Sequence, residues 1–248
     1  MAAPRRGGAI VRTAHAPRAF AGTSGFSYPA WRGSFYPDDL PARDMLACYA
    51  RTLPTVEINH TFYRLPTPAL VTAWGRQVPP GFRFALKAPQ RITHQLRLRD
   101  AGAVAGQFCT LAQRLGRKLG PLLFQLPPNF RFDAARRGDF LAALPPGIKP
   151  AFEFRSDTWF NDETYALLTR HRAALCIADA DRLTTPPVAT APFGYLRLRR
   201  ADYARADLDR WAKVVRGMRQ WKRAYVYFKH EETARGAKLA QGFGARFA

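Results

Sequence analysis

The sequence predicts an α/β fold, most economically a closed (β/α)8 barrel of the TIM type with one outer helix missing or irregular. Three observations lead there. Short apolar segments rich in β-branched and aromatic residues recur eight times, and helical stretches alternate with them. The 248 residues suit a single barrel of about 250 residues. Polar and charged residues collect at the downstream ends of the strand segments, the end where barrel enzymes place their sites.

In chain order, AFAGTS (19–24) reads as a strand entering the Gly- and aromatic-rich loop GTSGFSYPAWRGSFYP. Residues 40–52 carry Leu46, Tyr49 and Ala50 at helical spacing, with Pro41 near the start. TVEI in 55–66 alternates apolar and polar residues as a strand does, and a helix is expected over 68–77. FRFALKAP (82–89) is the third strand, followed by a long helix over 100–119. GPLLFQLPP (120–128), a short helix over 139–144, KPAFEFR (149–155) and a helix over 162–171 continue the rhythm. AALCIAD (173–179) leads into a Thr/Pro-rich connection with little helix signal, where the missing outer helix is expected. FGYLRLRR (193–200), a helix over 206–220, RAYVYFKH (223–230) and a short helix over 235–242 complete the pattern. Residues 1–19 are expected to be a disordered basic tail and 20–248 a single barrel domain.

Composition narrows the function classes. With 47% hydrophobic residues the chain can bury a sizeable core. No apolar run approaches the ~18 residues of a membrane span, so no membrane partner is expected. The Arg-bearing start lacks the apolar block of a secretory signal. Cys48, Cys109 and Cys176 are far apart and odd in number, which suggests neither a zinc site nor a disulfide framework and is in keeping with a cytoplasmic location. The balance of 39 basic to 18 acidic residues, a net charge of +21, favours anionic partners: a phosphate-bearing small molecule or nucleic acid. An Ala/Arg/Pro/Gly-rich composition also follows from GC-rich coding, so the charge alone does not name a partner.

Strand phase selects the candidate residues. In a small barrel alternate strand residues face the lumen and the outer helices. Assigning the apolar set outward leaves Glu57, Asn59, Lys87, Glu153, Arg155, Arg197, Arg199, Tyr225, Tyr227 and Lys229 inward, with Gln125 and Asp179 near their strand ends. Buried charges must pair or bind something, because an unpaired one costs several kcal/mol. An inert ionic core pairing Glu57 with Arg197, and Glu153 with Lys87 or Arg155, is one outcome. The excess of Lys and Arg over Glu favours an anionic ligand. His60, His94 and His230 follow strands and could reach one mouth; His15 and His171 have no such placement. A divalent metal would need Glu57, His60, Glu153, Asp179 and His230 to converge, without supporting local spacing. Tyr28, Trp31, Phe35 and Tyr36 form either an aromatic wall for a ligand or a packed lid edge.

The stretches GTSGFSYPAWRGSFYP, TVEINHTFYRLP, FRFALKAPQRITH, LGPLLFQLPPNF, AFEFRSDTWF and YVYFKHE together resemble the YecE-like family, the domain of unknown function 72, from about Gly22 to the C-terminus. The resemblance implies a TIM-type barrel and no particular reaction. Family-type residues present here are Gly22, Ser24, Gly25, Tyr28, Trp31, Glu57, Asn59, Thr61, Phe62, Tyr63, Lys87, His94, Gln125, Glu153, Arg155 and Arg197. Two positions depart from it. Arg199 stands where many relatives have His in an RLHG stretch, and Phe228-Lys229-His230 replaces a terminal FNN. Both changes place basic groups at the mouth.

The expectation is therefore an enzyme, in the hydrolase or lyase class, holding a phosphate-bearing substrate at the C-terminal mouth. Glu57, Glu153 and His94 are its catalytic candidates. Ser24, Tyr28, Trp31, Asn59, Tyr63, Lys87, Gln125, Arg155, Asp179, Arg197, Arg199 and Lys229 are its binding candidates. No cofactor is indicated. The alternatives are a nucleic-acid-binding or processing protein and a non-catalytic ligand-binding protein with a paired ionic core.

Overall fold

A computed structural model describes residues 16–181, 183–229 and 232–248, with the side chains of 134–137 outside the description. Eight parallel strands pair in a ring. They are β1 (Arg18–Ser24), β2 (Thr55–Ile58), β3 (Arg83–Lys87), β4 (Leu119–Gln125), β5 (Pro150–Glu153), β6 (Ala174–Ala180), β8 (Phe193–Leu198) and β9 (Arg223–Phe228). The order runs β5-β4-β3-β2-β1-β9-β8-β6, and pairing of β5 with β6 closes the barrel. The two-residue β7 (Leu183–Thr184) folds back antiparallel on the end of β6.

Helices α1 (Met45–Thr52), α2 (Pro68–Gln77), α3 (Gly102–Gln113), α4 (Ala134–Ala142) and α5 (Asp162–Arg170) follow the first five strands. After β6 no helix forms among the described residues of 181–192, as the weak helix signal there predicts. Helices α6 (Arg205–Gly217) and α7 (Arg235–Gly244) follow β8 and β9. Local chemistry sets several boundaries. The Thr67 hydroxyl accepts from the Leu70 N–H beside Pro68 at the start of α2, and Asn161 accepts from the Thr164 N–H at the start of α5. Helix α6 buries Leu208, Trp211, Ala212 and Val215, the stripe of an amphipathic helix.

Some boundaries differ from expectation. The helix expected over 100–119 ends at Gln113, because Gly116 takes a left-handed turn (φ 53°) into a short 3-10 turn before β4. Helix α4 begins at Ala134 rather than 139. Strand β1 begins at Arg18, so residues 18 and 19, expected in the tail, pair with Arg223 and Ala224 of β9.

Two packing layers follow from strand phase. Val56, Ile58, Phe84, Leu86, Phe152, Leu196 and Val226 face the helices in one large core. The lumen has its own cluster, in which Phe20, Phe193, Tyr195, Tyr225 and Tyr227 meet the small residues Ala85, Ala151, Ala174 and Cys176. Large side chains from β1, β8 and β9 thus fill the space left by small ones opposite, and the lumen is a packed core. The Tyr49 hydroxyl of α1 accepts from the Thr23 N–H at 2.9 Å and donates to the Thr55 carbonyl at 2.8 Å, locking α1 to β1 and β2.

Gly22 is the tightest point in this wall: a Cβ there would overlap the Thr55 carbonyl oxygen across the β1–β2 pairing. Gly22→Ala is therefore expected to destabilise the barrel by about 3 kcal/mol, the upper part of the overpacking range. Gly106→Ala, where a Cβ meets open space in α3, should stabilise it by roughly 0.5–1 kcal/mol. Urea unfolding of both variants checks this; equal midpoints would contradict the close approach at Gly22.

Candidate active site at the barrel mouth

The downstream ends of β1, β2, β3, β4, β5 and β8 each bring a polar side chain to one mouth. These residues continue the inward phase of Ala85, Leu123, Ala151 and Tyr195 by two positions. Arg197 lies at the centre, 3% exposed. One guanidinium nitrogen is 2.8 Å from Glu57 Oε1 and another 2.5 Å from Glu153 Oε2. Glu57 accepts three further hydrogen bonds, from Ser24 Oγ (2.8 Å), Asn59 Nδ2 (3.1 Å) and the Tyr195 hydroxyl (2.6 Å). Glu153 also receives Arg155 at 3.3 Å and Arg199 at 3.5 Å.

Proton affinities follow from these contacts. Burial acts to raise the Glu57 pKa, but Arg197, Tyr195 and Ser24 outweigh it and leave it below the ordinary value. Burial likewise opposes ionisation of Glu153, yet Arg197, Arg155 and Arg199 pull its pKa down to about 2. Both are committed carboxylates with their oxygens engaged, which suits holding charge rather than moving protons. Lys87 is different. Burial first, then Arg197, pull its pKa down to about 8 against the opposing pull of Glu57 and Glu153. Its ammonium sits 3.8 Å from the centre of the Phe62 ring. The His94 imidazole packs edge-on against Phe62, with Nδ1 2.9 Å from Thr93 Oγ1. Burial, Lys87, Arg155 and Arg97 lower the His94 pKa.

His94 lies in a π-helical turn, Arg91–Gln95, and the chain leaves that turn through left-handed Arg97, Leu98 and Asp100 (φ 47°, 67° and 50°). Such turns and such non-glycine conformations cost energy and recur beside functional sites. A cavity of about 490 Å³ opens against Glu153, Arg155, Ala178 and Arg199, with exposed Asp181 at its rim. Four buried polar atoms near the mouth have no hydrogen-bond partner: Asn59 Oδ1, Gln125 Nε2, Arg197 Nε and Arg199 Nε.

Other candidates lie elsewhere. Asp179 is out of phase with the lumen. It accepts from Trp211 Nε1 at 2.9 Å and from the Tyr203 hydroxyl at 3.1 Å, and it pairs with Arg200, so it fastens α6 to the wall and does not line the mouth. Trp31 is 1% exposed among Tyr28, Phe35 and Tyr36, so the aromatic cluster is packed core rather than a wall for ligand. Tyr28 donates its hydroxyl to the Ser24 carbonyl and straps the β1 loop. Tyr63 is 76% exposed, beyond the rim. Lys229 follows β9 half-buried, its N–H on the Leu198 carbonyl. Of the five residues weighed as metal ligands, the four described ones do not converge: Arg197 occupies both glutamates, Asp179 faces α6, and His60 packs edge-on to Trp74 of α2; His230 lies outside the described residues. Among the described residues, no three His, Cys, Asp or Glu side chains form a metal cluster.

Sequence reading missed Tyr195 and underweighted Phe62. Tyr195 shares the phase of Arg197 two residues on, a signal present in FGYLRL; Phe62 had only its place in a 3-10 turn after β2.

Comparison with known proteins bears on this geometry. The model of the family described as "Protein of unknown function DUF72" matches residues 20–248. The chain belongs to the DUF72 family. It is 34% identical over 113 residues to the UPF0759 protein YecE of Escherichia coli K12, covering 45% of this chain and 42% of that one. It is 28% identical over 148 residues to the UPF0759 protein YunF of Bacillus subtilis 168, covering 53% and 50%. The chain thus spans about half the length of the curated relatives it matches. A crystal structure of a DUF72 family protein from Thermotoga maritima superimposes with a TM-score of 0.82 at 26% identity, covering 92% of this chain and 98% of that one.

Glu153 carries a testable share of stability. Its folded pKa is below the ordinary 4.5, so its contribution is complete above about pH 4.5 and is lost as pH falls toward about 2. That loss should be on the order of 2–3 kcal/mol in denaturant unfolding followed against pH. Glu153→Gln leaves Arg155, Arg197 and Arg199 short of a carboxylate. It should cost roughly 3–5 kcal/mol at neutral pH and flatten the acid limb; an unchanged limb would remove Glu153 as its source.

Proposed function

We propose that this DUF72 barrel is an enzyme acting on an anionic, phosphate-bearing small molecule at the C-terminal mouth, with Lys87 as its proton-transfer group. The observation that carries the reading is the charge imbalance of the inner ring. Among the described residues of the inner ring, Lys87, Arg155, Arg197 and Arg199 face two carboxylates, Glu57 and Glu153, and partnerless polar atoms stand beside them. A paired ionic core accounts for Glu57, Glu153 and Arg197. It does not account for Lys87, or for the orphaned Gln125 Nε2 and Asn59 Oδ1, which buried groups avoid unless something meets them.

In this reading Arg155 and Arg199, half-buried beside the cavity, hold the phosphoryl oxygens as planar bidentate donors. Glu153 keeps those two guanidiniums aimed, and Arg197 and Glu57 fix the frame beneath them. Lys87, depressed toward neutrality by burial and by Arg197, has an accessible neutral amine that exchanges a proton with the substrate. Glu57 and Glu153, first weighed as acid and base, become positioning groups.

The check is a panel of phosphorylated small molecules assayed for hydrolysis and elimination. Turnover should rise with pH through about 8 as Lys87 loses its proton. Lys87→Met should lower kcat by about 10²–10⁴-fold, while Arg155→Gln with Arg199→Gln should chiefly raise KM. Turnover surviving in Lys87→Met would end the role given to that lysine.

A further inference from the structure

The opposite end of the barrel, where the strands begin, holds a second concentration of positive charge. A cavity of about 770 Å³ opens there against the starts of β1, β5, β8 and β9. Arg18, Lys149, Arg172, Lys222 and Arg223 line it, with His171 beside them, and no Asp or Glu is among its described lining residues. A neighbouring cavity of about 610 Å³ adds five more Lys and Arg residues, Arg83 and Arg117 among them, again with no carboxylate in its described lining.

Like charges gathered this way oppose one another. Burial, Arg223 and Arg83 lower the Lys149 pKa. Burial together with Arg223, Arg18 and Arg117 lowers that of Arg83, against an opposing pull from Tyr225. Folding gains nothing from this repulsion. Arg18 and Arg83 both lie over the Phe20 ring, at 5.0 and 5.9 Å, which holds two of the cations at the rim.

An independent observation points to what fills the space. Tyr225 lines the cavity and is 1% exposed, and its buried hydroxyl meets no acceptor, since the Arg223 guanidinium beside it can only donate. Burial keeps that phenol protonated, so it is a donor awaiting an acceptor. The volume lies within the usual ligand-pocket range of about 300–1,000 Å³. Leu141, Leu144, Ile148 and Phe193 offer apolar wall to the body of a ligand.

We propose that this end of the barrel is a second binding site, for a small organic molecule bearing two linked phosphoryl groups. Arg18, Lys149 and Arg223 neutralise its oxygens and the Tyr225 hydroxyl donates to the innermost one. A single phosphate would leave most of the five lining cations unneutralised; a diphosphate answers more of them. The site is separate from the mouth and does not rest on the role given to Lys87.

Inorganic pyrophosphate is the probe, titrated by calorimetry into the full chain at constant ionic strength, with orthophosphate in parallel. Pyrophosphate is expected to bind at least tenfold more tightly than orthophosphate. Lys149→Gln with Arg223→Gln should weaken pyrophosphate at least tenfold while raising the melting temperature of the unliganded protein. Tyr225→Phe, which keeps the ring stacked on Phe20, should weaken it severalfold. Arg155→Gln with Arg199→Gln removes any phosphate binding at the mouth and should leave the Lys149- and Arg223-dependent binding in place. Equal affinity of wild type and the Lys149/Arg223 variant would overturn the proposal. So would loss of pyrophosphate binding on mouth substitution alone, or binding of a single-stranded oligonucleotide without any binding of pyrophosphate.

Discussion

Arg197 reaching Glu57 and Glu153 at once is the constraint on which the mouth depends. The two carboxylates come from β2 and β5, and the guanidinium that joins them comes from β8. All three are buried, so each charge is tolerable only because the others are in place. Removing Arg197 leaves two buried carboxylates without the cation that joins them, and removing either glutamate takes one partner from the buried guanidinium. The barrel beneath is built to hold this geometry. Bulky Phe20, Tyr195, Tyr225 and Tyr227 against Ala85, Ala151 and Ala174 leave little room for the strands to slide.

That arrangement redistributes chemical roles. A carboxylate accepting from Arg197, Tyr195, Ser24 and Asn59 has little capacity left for a substrate proton. Protonation of Lys87 is made harder by burial first and then by Arg197, against the opposing pull of Glu57 and Glu153. In the proposed reading, proton transfer therefore falls to Lys87, the buried cation, and not to the groups that build the ionic frame. The aromatic face of Phe62 accommodates the ammonium form at 3.8 Å, so neither protonation state of Lys87 is shut out.

Much of this was legible in the chain because a barrel strand has a period of two. Once Val56, Phe152 and Leu196 face the helices, Glu57, Glu153 and Arg197 can only face the lumen, and each is found there. That the described residues between β6 and β8 form no helix was legible from a Thr/Pro-rich stretch that cannot sustain one. Errors came where phase was not applied or does not reach. Asp179 shares the phase of Leu175 and Ile177, so its place against Trp211 followed from the same rule that was used elsewhere. Trp31, Tyr63 and His60 lie in loops and 3-10 turns without a two-fold period, where residue type says nothing about direction. The π-helical turn that presents His94 depends on three left-handed residues, none of them glycine, and no local signal announces it.

Whether the ionic frame strains Lys87 is the point on which the account turns, and its titration can be followed directly. The chain has seven lysines, so ¹³Cε-lysine labelling yields a spectrum in which the Lys87 signal is assigned by its absence in Lys87→Met. The account predicts that this signal titrates near 8, well below the ordinary lysine value of about 10.4. Titration of Lys87 at the ordinary lysine value would contradict it, leaving the mouth a paired ionic core with no group poised for proton transfer.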